Sequence, residues 1–112
     1  MTARDLQFSD LQWARSKGFD TFCPLGPWIE TELDPEALAL ESRVNGQYRQ
    51  KSTSNDMITN VFDIVSYVSQ NVTLFPGDVI LTGSPAGISR IEAGDQVECE
   101  ISGIGVLHNP VA

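Results

Sequence analysis

Cations are scarce in this chain, cysteine and histidine scarcer still, and no long apolar run occurs. Lys and Arg number 7 against 15 Asp and Glu, a formal net charge of −8 over 112 residues. Nucleic acids and anionic membrane surfaces are met by clustered Lys and Arg, so this balance argues against both as partners. No stretch approaches the roughly 20 consecutive apolar residues that cross a bilayer. The N-terminal stretch has no apolar run of the kind a signal peptide requires, which makes the cytoplasm the expected location. Cys23 and Cys99 stand far apart in a spacing that suits neither a zinc site nor a redox pair, and read as reduced thiols in strands. Internal repeats, low-complexity tracts and linkers are missing as well.

What is present is ordinary for a small globular domain: 41% hydrophobic and 20% charged residues in one expected domain, 1–112. At this size about two-thirds of the unfolded surface can be buried, so a core is possible without staples. The clearest local signal is Asn45-Gly46, whose tolerance of positive φ predicts a type I′ turn between strands over 38–44 and 47–52. Val61, Ile64, Val65 and Val68 recur at helical spacing and predict the main helix, about 60–71, capped by Thr59 or Asn60. Leu6 to Lys17 reads as a short helix capped by Ser9 or Asp10, and Phe19 to Phe22 as a strand. Pro24, Gly26 and Pro27 break regular structure, so Trp28 is expected to dock from a loop. Asp34 to Ala37 resembles one helical turn with Asp34 as its cap. Phe75-Pro76-Gly77-Asp78 turns into Val79-Ile80-Leu81-Thr82, read as an apolar strand leading to a tight loop, Gly83 to Gly87. The alternation in Gln96 to Ile101 marks a half-buried strand, paired back by Ile104 to His108. Five or six strands and one good helix predict an α+β, mainly β domain: a mixed sheet with a helix against it.

The segments Thr2-Ala3-Arg4-Asp5-Leu6-Gln7, Lys17-Gly18-Phe19-Asp20-Thr21-Phe22, Pro24-Leu25-Gly26-Pro27-Trp28, Val44-Asn45-Gly46, Ser54-Asn55-Asp56-Met57-Ile58 and Leu81-Thr82-Gly83-Ser84-Pro85-Ala86-Gly87 occur in a telling order. Together, from Met1 to Pro110, they resemble the C-terminal half of the fumarylacetoacetate hydrolase family domain. The resemblance implies a mixed β-sandwich roll with a few short helices. It also implies Mg²⁺- or Mn²⁺-dependent chemistry on small oxo- and diketo-dicarboxylic acids. That chemistry includes C–C hydrolysis of acylpyruvates, decarboxylation of oxaloacetate-like acids, and isomerisation in aromatic catabolism.

The same resemblance implies what falls outside the chain. In the family a metal-binding Asp stands immediately before the Thr-Ala-Arg segment, a position just before Met1, and a Glu-x-Glu pair lies upstream of that. The chain is therefore expected to be a truncated member that binds no metal alone. Glu30-Thr31-Glu32 lies downstream in an expected loop, and Glu98 and Glu100 on the solvent face of a strand, so neither pair is taken as a ligand set. The water-activating His–Glu pair of the hydrolases belongs to an N-terminal lid, which leaves His108, the only histidine, without a catalytic role.

Five residues remain as candidates for substrate chemistry. Arg4 offers a planar fork suited to a carboxylate, or is a surface Arg paired with Asp5 or Asp10. Gln7 offers an amide to a substrate oxygen, or is a polar residue at a helix start. Lys17, where the resemblance implies the active-site lysine, can neutralise a developing enolate; alone it reads as a solvated cation. Thr82 and Ser84 bring hydroxyls to a loop whose backbone N–H groups can meet an oxyanion, and the family contacts substrate there; otherwise the segment is a plain turn. No Gly-Lys-Ser/Thr follows, so it is not a phosphate loop. The polar Ser52 to Met57 stretch before the main helix could help line a pocket, but helix capping explains most of it and it is read as structural. Half of a β-roll exposes strand edges and apolar surface, so a homodimer or a pairing with an N-terminal half is expected; the alternative function is a non-catalytic, self-associating remnant.

Overall fold

A computed structural model describes residues 1–112. The Asn45–Gly46 turn forms as its residues demand, with φ of 51° and 75° at the two positions. It joins β1 (Ala39–Val44) to β2 (Gln47–Thr53), and Val44 sits opposite Gln47. Asn45 also reaches forward. Its Nδ2 donates to Asp95 Oδ1 at 2.8 Å, and its Oδ1 accepts from the Gln96 N–H at 2.9 Å. This turn is thereby locked to the start of β3 (Gln96–Ile101), which pairs antiparallel with both β1 and β4 (Gly105–Pro110). The result is one four-stranded sheet in the order β2-β1-β3-β4.

Alternation gives this sheet two unlike faces. Glu41 and Arg43 of β1, Lys51 of β2, Glu98 and Glu100 of β3, and His108 of β4 share one of them, by register. Arg43 bridges the strands there, with Glu98 at 3.1 Å, Glu100 at 2.6 Å and Glu41 at 3.3 Å. The other face carries Leu40, Val44, Val97, Ile101 and Leu107. The loop after Gly26 lies over it: a methyl added at Gly26 would meet Leu107, and one at Gly105 would meet the Trp28 ring. Trp28 does dock from a loop, though it stays more than half exposed.

The main helix, α3 (Val61–Asn71), is capped by Asn60, whose side chain accepts from the Asp63 N–H at 2.8 Å. The mainly β, α+β architecture with one main helix is as expected, but the sheet is antiparallel throughout and has four strands. Leu6 to Lys17 is two short helices, α1 (Arg4–Ser9) and α2 (Ala14–Lys17), and neither has a side-chain cap. Ser9 and Asp10 are drawn elsewhere: the Ser9 hydroxyl bonds the Leu6 carbonyl, and Asp10 holds Arg15 at 2.6 Å. Phe19 to Phe22 is a turn closed by Phe22 N–H to Phe19 O, with the two rings edge-on at 5.4 Å, so Cys23 lies in no strand. Asp34 caps a turn rather than a helix, since Ala37 at φ 60° takes the chain out of helical space. Val79 to Thr82 joins no ladder, because no strand of these residues lies beside it.

Very little of this fold is sealed. Only Val44 and Ser16 are buried, and Phe62, Val65, Val72, Phe75, Val79 and Leu81 are among the large apolar side chains left exposed. The accessible area is 8521 Å², whereas a folded monomer of 12.2 kDa presents about 6,100 Å². No helix is long and apolar enough to cross a membrane. Because α3 packs so lightly, its cap should be visible in isolation. Asn60→Ala is expected to cost about 1 kcal/mol and to speed amide exchange over Val61–Ile64 roughly fivefold, with β1 and β3 unaffected. Unchanged exchange at those amides would show that the cap contributes nothing.

Candidate functional site

The five candidate residues divide between two places. Arg4, Gln7 and Lys17 occupy a corner made by α1, α2 and the segment before them. Its pivot is Ser16, completely buried. The Ser16 carbonyl accepts from the Ala3 N–H at 2.9 Å, and its hydroxyl donates to the Trp13 carbonyl at 2.9 Å. This crossing sets Thr2 beside the end of α2, where Lys17 Nζ donates to Thr2 Oγ1 at 2.9 Å. On α1, one turn separates Arg4 from Gln7, and Arg4 Nη1 donates to Gln7 Oε1 at 2.8 Å. The short helices matter here because α1 begins at Arg4 and α2 ends at Lys17.

This corner holds two of the three cations that have no carboxylate partner. Arg15, Arg43, Lys51 and Arg90 each have a carboxylate partner. The other three do not: Arg4 and Lys17 bond a neutral amide and a neutral hydroxyl in this corner, and Arg49, away on β2, bonds only the Gln47 amide at 3.4 Å. In a chain of net charge −8, two cations left free of carboxylates flank Thr2. Such groups keep their attraction for an incoming anion, where a paired cation has spent it. Of the two readings of Arg4, pairing with Asp5 or Asp10 is not what forms; Asp10 is taken by Arg15, whose guanidinium holds its carboxyl below the usual range.

Thr82 and Ser84 lie elsewhere, in an open cleft of about 450 Å³ between the end of β2 and the loop after Leu81. Ser52, Thr53, Asp56 and Met57 form its opposite wall. That wall is built by Asp56. Its carboxylate accepts from Ser52 Oγ at 2.6 Å and from the Thr53 N–H at 2.9 Å, closing a capping box around the short 3₁₀ turn Ser54–Asp56. The Ser52 hydroxyl is the largest influence drawing the Asp56 carboxyl below its ordinary value, followed by the Thr53 amide. Capping thus explains the local geometry of Ser52 to Met57, as its sequence indicates, and the folded chain also makes it a cleft wall. A further depression of about 480 Å³ runs along α3 past Thr59, Asp63 and Tyr67 and contains none of the candidates.

Sequence reading missed Ser16 and Gln50, and placed Asp56 in a capping stretch without its clamp on Ser52 and Thr53. Ser16 is a lone small residue between two cations, and nothing local marks it as the buried crossing. Gln50 sits on β2 and reaches the Gly83–Gly87 loop, donating from Nε2 to the Pro85 carbonyl at 2.9 Å. Its Gln-to-loop contact spans 35 residues and carries no sequence signature. Glu30 and Glu32 lie exposed in a loop, and Glu98 and Glu100 are partners of Arg43. His108 pairs with Glu98 at 3.1 Å on the charged sheet face. No three His, Cys, Asp or Glu side chains gather as a metal-binding group.

The chain matches, over residues 1–112, the family model described as fumarylacetoacetate (FAA) hydrolase C-terminal. It is 54% identical over 111 residues to an uncharacterized protein of Methanocaldococcus jannaschii, covering 99% of this chain and 47% of that protein. It is 43% identical over 122 residues to the mitochondrial oxaloacetate tautomerase Fahd2a of Rattus norvegicus, covering 99% of this chain and 39% of the relative. The crystal structure of a 5-carboxymethyl-2-hydroxymuconate delta-isomerase from Mycobacterium smegmatis superposes with a TM-score of 0.97 at 52% identity, over 99% of this chain and 44% of that one. The chain spans about half the length of the relatives it matches.

The Asp56 clamp has a pH signature. Its carboxyl is held low in the folded state, so its bonds stabilise the cleft wall above the unfolded Asp value and are lost as pH falls through the folded one. An NMR acid titration of the Thr53 amide should show a midpoint below the ordinary value of about 3.9. A midpoint at or above it would show that Asp56 does not clamp the Thr53 amide.

Proposed function

The chain belongs to the fumarylacetoacetate hydrolase family, and from that premise we propose that it forms the substrate-side half of an enzyme acting on small oxo- or diketo-dicarboxylic acids. The observation that carries this reading is the pair of carboxylate-free cations, Arg4 and Lys17, beside Thr2. Arg4 would grip a substrate carboxylate through its paired N–H donors, with Gln7 holding the guanidinium in place. Lys17 would stand against the oxygen that becomes negative as an enolate forms. Thr82 and Ser84 would hold a further substrate oxygen from the loop side.

Oxaloacetate, the compound named for the rat relative, suits this arrangement: it has two carboxylates and a ketone whose enolate needs a nearby positive charge. Tautomerisation forms that enolate, and decarboxylation or C–C hydrolysis leaves the enolate of the shortened 2-oxo acid as CO₂ or a carboxylate departs, so in each case one lysine can stabilise negative charge on the same carbonyl oxygen. A magnesium or manganese ion of the family's kind finds no ligand set within these residues. The cytoplasm is the compartment we propose for it.

A second reading, a self-associating or partner-binding module, is favoured by the exposed surface. The accessible area of 8521 Å² exceeds that of a folded monomer of this mass by about 2,400 Å², the scale of a large, permanent interface. A second copy, or a polypeptide carrying the other half of the fold, would cover it. The two readings are compatible.

Two measurements test them. In an ultraviolet assay of oxaloacetate enolisation, Lys17→Ala is expected to lower kcat about 100-fold, and Arg4→Ala to raise KM about tenfold or more. A wild-type protein inert toward oxaloacetate and acylpyruvates, or a Lys17→Ala variant at full rate, would overturn the enzymatic reading. Sedimentation of the 112-residue chain alone should give dimers or larger species at micromolar concentration; a monodisperse, cooperatively folded monomer would overturn the second.

A further inference from the structure

Residues 79–91, which carry Thr82 and Ser84, lie in no helix or strand and make no backbone–backbone hydrogen bond. One hydrogen bond reaches them from the rest of the chain: Gln50 Nε2 donates to the Pro85 carbonyl at 2.9 Å. The direction of that amide is settled by chemistry, because a carbonyl oxygen can only accept. The NH₂ must face Pro85, and Oε1 then accepts from Ser42 Oγ at 3.0 Å, so both ends are engaged. Ser42 sits directly opposite Gln50 in the β1–β2 ladder.

The ladder is irregular at this point. Ser42 pairs with Gln50, but Arg43 pairs with Tyr48, leaving Arg49 as the extra residue of a β-bulge. A bulge re-aims the groups around it. Here the Arg49 carbonyl approaches Gly87 so closely that a methyl on that glycine would lie 2.1 Å from the oxygen, and Gly87 has φ of +101°. Only glycine meets both requirements. The loop is thus seated on β2 at two points, the Arg49 bulge and the Gln50 amide.

We propose that Gln50, beside the Arg49 bulge, is the positioning residue for the Ser84 hydroxyl. Its anchor falls on the carbonyl of the residue immediately after Ser84. The Pro85 ring fixes its own φ, and a residue before proline is confined to extended backbone, so little freedom remains between the anchored carbonyl and Ser84. Gln50 touches no substrate in this scheme. It sets the width of the cleft between Ser84 and the wall formed by Ser52 and Asp56. The catalytic half of the idea rests on the substrate-binding reading of Ser84 above; the tether does not.

The test compares Gln50→Ala and the isosteric Gln50→Glu, whose carboxylate cannot donate to a carbonyl. NMR relaxation of the Gly83, Ser84, Ala86 and Gly87 amides should show increased mobility in both variants, with the β1 and β3 amides unchanged. Ser42→Ala, which frees one end of the amide, should give the same change in smaller measure and serves if the Gln50 variants fail to fold. With oxaloacetate as probe, Gln50→Ala should raise KM about three- to tenfold and leave kcat within twofold, the size of one lost hydrogen bond. In a Ser84→Ala background the same substitution should add nothing. Unchanged loop amides in both Gln50 variants would overturn the tether. A KM effect that persists undiminished without the Ser84 hydroxyl would overturn its action through Ser84. A wild-type protein without turnover would overturn the substrate reading instead, with the relaxation data still deciding the tether.

Discussion

The structure depends on the pairing of β1 with β3. Each belongs to a hairpin, and a two-stranded hairpin is marginal in water by itself. Joining them makes a four-stranded sheet, yet the join is non-local: Arg43 meets Glu98 across 55 residues of chain. Loop closure over that distance carries an entropic cost before any ladder bond forms. Asn45 and Arg43 offset it near one end of the join, the first through the Asp95 side chain and the Gln96 backbone, the second across the charged face through Glu98 and Glu100. The ion pairs are partly open to solvent, so their contribution is orientation more than net energy. They also hold Arg43 strongly protonated, the two glutamates being the leading causes.

The sheet then decides where everything else can go. With one face occupied by charge, apolar packing is confined to the other, and there the loop after Gly26 covers only part of Leu40, Val44, Val97, Ile101 and Leu107. Val44 alone is buried among the apolar residues. Helix α3 has a stripe of Val61, Ile64 and Val68 turned partly inward, but Phe62 and Val65 look out. Both observations describe a core that these residues leave largely open. Sequence periodicity marks a residue as suited to burial; it does not say which polypeptide does the burying. That distinction explains Val79 to Thr82, which has every mark of a strand and no neighbour with which to make one.

The two clusters of candidate residues have different origins. Arg4, Gln7 and Lys17 are brought together by local events: short helices, and one buried serine where the chain crosses itself. Thr82 and Ser84 are placed by a distant strand, through the Gln50 amide and the carbonyl of a bulge. The motif segments around these residues made them legible as candidates, since Arg, Gln, Lys and hydroxyl groups in that order match a known pattern. What holds them was not legible. Ser16, Gln50 and Asp56 act through backbone and side-chain contacts that have no local periodicity, and a bulge has no reliable signature in a single chain.

Local chemistry determined the Asn45–Gly46 turn, the α3 boundaries with the Asn60 cap, and the alternation of β3, because each depends on φ tolerance, capping or period within a few residues. Charge and composition determined that cations would be few, so that any left unpaired would stand out. The tertiary structure alone decided which cations those are, by assigning carboxylates to Arg15, Arg43, Lys51 and Arg90 and none to Arg4, Lys17 and Arg49, and by setting the first two in one corner. It decided that Leu6 to Lys17 breaks in two, because Asp10 bonds Arg15 instead of capping a helix. It also decided that Val79 to Thr82 remains unpaired, because a strand is a property of two segments and no second segment lies beside this one.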